Sequence, residues 1–244
     1  MRRRTKLILA ALVVVLVAAG GGLWWFFHDD SPPTPTIDAA SQGVGTTSAG
    51  DAAADPPADG IAGTWSVDTK HGSFDFNRAT GTFVGFRIKE HLSSIGSTHA
   101  VGRTGDVSGT MVIDGTTVTS AKFDVDLTTI TTNQTQRNQR VQEALETDRF
   151  PNATFELTSP IDLGAGAADG HELSVTAKGD LTIHGQTRPV AFPLQAKLVR
   201  GTVVVVGSLD VTFSDFGVEV PRAPIVLSVD DHGALELQLL LTRT

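Results

Sequence analysis

The chain has 244 residues, 40% of them hydrophobic and 19% charged, a formal net charge of -8, and neither Cys nor Tyr. The missing thiols exclude disulfide scaffolds, iron–sulfur clusters, thiol catalysis, Cys-ligated zinc and the lipobox cysteine of a bacterial lipoprotein. Arg2, Arg3, Arg4 and Lys6 precede the first acid, Asp29; everything after Lys6 carries 15 basic and 27 acidic side chains, a balance that repels phosphate backbones, so nucleic acid is not an expected partner.

Residues 7–27, LILAALVVVLVAAGGGLWWFF, carry no charge. As a helix rising ~1.5 Å per residue they match the ~30 Å hydrocarbon core of a bilayer. The basic cluster before the run, and Trp24, Trp25 and the two aspartates after it, orient it with the N-terminus in the cytoplasm and the rest of the chain extracytoplasmic. A cleaved signal peptide is the competing reading, because Val17-Ala18-Ala19 is a loose small-residue site. The run continues ten residues beyond that site's start, which favours a single-pass anchor in the cell membrane over residues 1–27.

Residues 28–60 hold five prolines, six aspartates and no Lys or Arg, so they lack the apolar surface that offsets the entropy of ordering; a disordered linker is expected. From Ile61 the pattern turns to short apolar alternations separated by Gly, Asp and Thr. Phe123, Val125 and Leu127 alternate with polar residues, as do Leu194, Ala196 and Leu198, and Leu235, Leu237 and Leu239. Each run reads as a strand with one dry face. Asp114-Gly115, His184-Gly185 and His232-Gly233 suit tight hairpins. Val203 to Val206 is apolar without alternation, which fits either a strand covered on both faces or an aggregation-prone run that must be buried. Asn133 to Asp148 departs from the pattern: its Gln, Arg, Glu and Ala favour a helix, with Arg137, Val141, Ala144 and Leu145 at near-helical spacing, and Phe150-Pro151 ends it. Residues 61–244 therefore read as one mostly β domain, an antiparallel sheet curled closed or nearly closed, with one flanking helix.

Several segments of this domain are recognisable. They are Trp65-Ser66-Val67-Asp68; Thr131-Thr132-Asn133 followed by Arg137-Asn138; Phe150 to Phe155, FPNATF; Gly179 to Val190, GDLTIHGQTRPV; and Ser214-Asp215-Phe216-Gly217-Val218. In order and spacing the chain from about Ile61 to Thr244 resembles the YceI-like family, and the resemblance implies a lipocalin-like β-barrel that binds polyisoprenoid lipids. The chain departs from the family pattern in several places, one of them a segment, SSIGSTHAVGRTGDVSG, that is long for a connection between early strands. His71 is followed by Gly72 and an inserted-looking stretch, Phe74 to Thr80, where the family has a His-Ser pair, and the helix carries Arg137-Asn138 in place of Arg-Asp.

An apolar tail needs only a lined lumen. The alternation supplies Phe83, Phe86, Ile88, Phe123, Val125, Leu127, Phe155, Leu157, Leu181, Ile183, Phe192, Leu194, Val211 and Phe213 as candidates, with Leu237 and Leu239 beside them. For any one of these, packing in a self-filled barrel is the competing role. Arg137 and Arg140 are head-group candidates, against surface pairing within the helix. No H-x-x-x-H or H-E-x-x-H spacing occurs, so no metal is expected. Neither G-x-S-x-G nor a Gly-rich phosphate loop is present, and Asp124 and Asp126 read as the solvated face of a strand, so neither catalysis nor a cofactor is expected. The expected function is a membrane-anchored carrier or holder of an isoprenoid lipid or quinone; the alternative is a self-filled barrel serving as an envelope interaction or stress-response module.

Overall fold

A computed structural model describes residues 31–45, 60–92, 96–132, 135–219 and 226–244. The apolar run 7–27 and residues 28–30 and 46–59 of the expected linker lie outside them; among the described residues no helix is long and apolar enough to cross a membrane. In chain order the elements are α1 (Ile37–Gly45), β1 (Gly63–Val67), β2 (Phe83–Leu92), β3 (Gly96–Thr104), β4 (Val107–Asp114), β5 (Thr117–Asp126), β6 (Thr131–Thr132), α2 (Thr135–Leu145), β7 (Asn152–Leu157), β8 (Ile161–Asp162), β9 (Leu173–Ile183), β10 (Gln186–Val199), β11 (Thr202–Thr212) and β12 (Val226–Arg243).

Antiparallel pairing runs β1-β4-β5-β7-β9-β10-β11-β12 and returns to β1, which closes an eight-stranded barrel and leaves that ring without an open edge. The 18-residue β12 serves two neighbours along one edge. Its end pairs with β1, Trp65 opposite Arg243, while its earlier part, from Gln238 back to Val226, pairs with β2. β3 then lies on β2, and β6 on β3. The expected closed antiparallel barrel is present.

Local chemistry explains the turns. Gly115 has φ 59° in the β4–β5 turn, and His184 and Gly185 have φ 51° and 70° between β9 and β10, both as expected from the sequence. The expected turn at His232-Gly233 is not there. Both residues lie within β12, beside a register shift between Val229 and Gly233. Gly233 is required by crowding: a Cβ would fall 2.6 Å from the Arg87 carbonyl oxygen and 2.7 Å from the Phe213 ring.

Among the described residues two α-helices flank the barrel where the sequence predicts one. α2 occupies the predicted stretch, though it stops at Leu145, ahead of Pro151, with Glu146 at φ 46°. Asn138 ties it to the wall: its Oδ1 accepts from the Thr132 amide and hydroxyl, both at 2.7 Å. α1 falls inside residues 28–60, so the expectation of disorder is corrected over 31–45. Thr36 opens the helix, its Oγ1 accepting from the Ala39 amide at 3.3 Å, and Asp38 lies in the first turn. Ile37, Ala40 and Val44 then bury one stripe against Val204, Val206 and Leu240 on the outer wall. Composition misled here because three small apolar residues suffice when the barrel already presents an apolar strip. Val203 and Val205 face inward and Val204 and Val206 outward under α1, so the non-alternating run is a strand covered on both faces.

Candidate functional site

The lumen contains a cavity of about 210 Å³, far more than the roughly 10–15 Å³ that one water molecule needs. Alternation along every wall strand places apolar side chains around it. Of the residues singled out from sequence, Phe86, Phe123, Val125, Leu127, Phe155, Leu157, Leu181, Ile183, Phe192, Leu194 and Phe213 line it, as do Leu237 and Leu239. Leu127 does so from a short 3-10 turn, Leu127–Thr129, capped by the Asp126 side chain accepting from the Thr128 amide at 2.8 Å.

Three candidates do not line the cavity. Phe83 faces the outer wall, where the Arg103 guanidinium lies 4.4 Å from its ring centroid. The run Phe83 to Ile88 has bulky residues on both faces, so counting could not assign the inward one. Ile88 and Val211 pack in a cluster with Phe213 and Phe216 at the α2 end, outside the cavity itself. The head-group candidates are not at the lumen. Arg137 pairs with Glu90 of β2, Nη2 to Oε2 at 3.0 Å, and Arg140 is exposed on α2. Sequence reasoning missed Ile61, Met111, Leu145, Ala167 and Phe216, which also border the cavity. Each sits in a turn, a helix or a strand whose period-2 signal is broken, and only the closed ring brings them inward.

Five phenylalanines share one device. A Cβ on Gly102, Gly109, Gly179 or Gly233 would fall 2.4, 2.7, 2.5 or 2.7 Å from the ring of Phe86, Phe123, Phe155 or Phe213 respectively, and one on Gly207 would fall 2.9 Å from the Phe192 ring. Each ring lies over the bare backbone of a neighbouring strand instead of reaching towards the barrel axis. Flat rings leave the centre open.

Polar groups are nearly absent from the lining. Thr104, Thr154, Lys197 and Glu236 border it. The Thr104 hydroxyl is held 2.6 Å from that of Thr129, and the Glu236 carboxylate is engaged on the outer side of the wall. There it meets Arg87 Nε at 2.6 Å and Arg103 Nη2 at 3.4 Å, with Glu236 1% and Arg103 2% exposed. Burial pushes the Arg103 guanidinium below its ordinary pKa, against the opposing pull of Glu236. The same arginines donate to the strap formed by residues 31–45: Arg87 Nη2 to the Pro32 carbonyl at 2.7 Å and Arg103 Nη2 to the Pro33 carbonyl at 2.6 Å. The inserted-looking stretch and Gly81 just after it complete this cover, since Gln238 Nε2 donates to the Ala79 carbonyl at 3.4 Å and to that of Gly81 at 2.8 Å, and Arg103 Nη1 to that of Phe76 at 3.4 Å. Among the described residues no group of three His, Asp or Glu side chains could hold a metal ion.

Known proteins share this architecture. A polyisoprenoid binding domain from Saccharophagus degradans superposes with a TM-score of 0.55 at 17% identity, covering 74% of this chain and 98% of that one. BcnA of Burkholderia cenocepacia gives 0.50 at 20% identity, over 65% and 94%. A UPF0312 protein of Shewanella denitrificans is 30% identical over 152 residues, 58% of this chain and 76% of its own length. The match to a UPF0312 protein of Shewanella baltica, 32% identical, spans only 53% of that relative and 43% of this chain. The YceI-like domain profile matches residues 65–241, most of the chain and nearly all of the barrel, and the chain therefore belongs to the YceI-like family.

Proposed function

We propose that this barrel holds the apolar tail of an isoprenoid lipid or quinone in its lumen, without making or breaking a bond, and does so outside the cytoplasm on a chain anchored through residues 7–27. The observation that carries the reading is the cavity: about 210 Å³, lined on all sides by aliphatic and phenyl groups, with its few polar neighbours already partnered or turned away. Water gains little there and a hydrocarbon chain gains much. The polyisoprenoid binding domain of Saccharophagus degradans, alike in fold, supports the same ligand class.

Magnitudes favour exchange over trapping. Removing a five-carbon isoprene unit from water is worth about 3–4 kcal/mol at ~0.8 kcal/mol per CH₂, but a bilayer offers nearly the same gain. Net transfer from membrane to lumen is then close to neutral, which suits a carrier that both loads and unloads. The cavity also favours this reading over a self-filled interaction module, which needs no space inside.

The test is extraction of the full-length protein from its native host. Organic extracts should yield one prenyl-chain lipid or quinone per barrel by mass spectrometry; extracts empty of any such molecule, from a barrel that also fails to take up an added prenyl alcohol, overturn the reading.

A further inference from the structure

We infer that the barrel stands with its α2 end towards the membrane, oriented by the strap 31–45. This rests on the reading of residues 7–27 as a membrane anchor. The strap begins beside β3, where Ser31 Oγ donates to the His99 carbonyl at 2.9 Å. It passes Arg87 and Arg103 at Pro32 and Pro33, and continues as α1 over Val204, Val206 and Leu240. Its direction along the wall is fixed by the ladder. Ile88 is opposite both Gly233 and Ala100, so Ser31 sits level with the early part of β12, whereas Leu240 lies towards the far end, where Thr242 pairs with Thr202.

Two ends of the barrel follow from this. Near Ser31 is the end carrying α2 and the β9–β10 turn: Arg137 at one end of α2 reaches Glu90 of β2, and beyond its other end Glu146 lies 3.5 Å from His184 across the mouth. The opposite end carries the β4–β5 and β10–β11 turns, with Asp114 and Arg200 exposed.

Chain length decides between orientations. Four peptide links join Phe27, the last apolar residue of the run, to Ser31, a reach of about 14 Å at ~3.6 Å each. From the level of His99 to the α2 end, three residues of β3 remain, ~10 Å at ~3.4 Å per residue. To the opposite end, nine residues of β12 remain, ~30 Å along the strand and ~23 Å along the axis at a tilt near 40°. Turning that end down would require Ser31 to stand about 23 Å above the bilayer, beyond what four links supply. With the α2 end down the span is met, and the part of the lumen closed by Leu145, Phe213 and Phe216 faces the lipid.

The Cys-free chain allows single-cysteine labelling. Full-length Asp148→Cys, just after α2, and Asp114→Cys, in the β4–β5 turn, are labelled with a fluorophore and reconstituted into phosphatidylcholine vesicles containing a nitroxide head-group lipid. The label at 148 should be quenched several-fold more than the label at 114. With a long flexible Gly/Ser stretch inserted between Asp30 and Ser31, which removes the limit set by the four links, the two positions should become alike. A chain that washes off the vesicles at alkaline pH overturns the anchor reading and this inference with it. A chain that stays bound with equal quenching at both positions, with stronger quenching at 114, or with the bias unchanged after the link is lengthened, overturns the orientation alone.

Discussion

Whether the lumen stays open turns on glycines as much as on the side chains that line it. At Gly102, directly opposite Phe86 in the ladder, a methyl group would fall 2.4 Å from the ring and push it off the wall. Gly102→Ala should therefore cost about 1–3 kcal/mol of stability and lower the amount of co-extracted lipid, whereas Gly102→Ala with Phe86→Leu should recover both; occupancy by mass spectrometry and thermal melting check this. The sequence shows these glycines and phenylalanines but not that they are neighbours, because the pairing is across strands and for Phe155 over Gly179 diagonal. Asp68, in the opening Trp-Ser-Val-Asp motif, makes a different prediction. Burial alone raises its carboxyl pKa, but hydrogen bonds from the His71 side chain and from the amides of Lys70 and His71 outweigh it, so the carboxyl sits below its ordinary value. The stability this supplies is complete above about pH 4, the unfolded carboxylate value, and is lost as pH falls through the lower folded one. Denaturant titrations of wild type between neutral and strongly acidic pH should show that loss, and Asp68→Asn should reduce it while lowering stability at pH 7.

Elements that cover the outer wall account for most of what the linear pattern left unresolved. Leu235, Leu237 and Leu239 are correctly read as one dry face of β12, but Glu236 and Gln238, which alternate with them, are 1% and 2% exposed where a solvated face is expected. They form the floor beneath a strap and an insertion that arrive from elsewhere in the chain, and composition marked the strap as disordered. Val203 to Val206 was the signal that something lies over that wall; it could not name the partner. Pro32-Pro33 fits the role, since prolines have no N–H and offer two arginines only carbonyl oxygens. Glu236→Gln leaves both guanidinium groups buried without a counter-charge and should destabilise by about 3–5 kcal/mol. Ile37→Asp, which removes α1 from the wall, should cost about 3 kcal/mol, lowering Tm by roughly 6–12 °C. If α1 contributes nothing to folding, Ile37→Asp will melt with wild type, and differential scanning calorimetry distinguishes the two.

For the molecule as a whole, closure of the ring converts a set of unremarkable amphipathic strands into a compartment, and the compartment is what the proposed lipid function requires. The family motifs make the barrel legible in the sequence, yet Arg137-Asn138 and Asp68 act within the wall and its cover: Asn138 fastens α2, Arg137 meets Glu90, and the Asp68 amide donates to the Leu240 carbonyl at 2.8 Å, while Trp65 packs in the core cluster that holds the cavity-lining Met111, Val203 and Leu241. On the proposed function, specificity for an apolar tail comes from volume and dryness and not from any charged contact in the lining. Two consequences can be measured together. Affinity for a prenyl alcohol delivered from water should rise steeply with each added isoprene unit until the cavity is full, because every unit adds about 3–4 kcal/mol of burial. When the same series is offered from vesicles the dependence on chain length should nearly vanish, because the donor phase provides the same burial. Fluorescence competition against both sources, with chains of increasing length, separates this behaviour from head-group recognition, for which affinity is set by the polar end and is independent of tail length in either experiment.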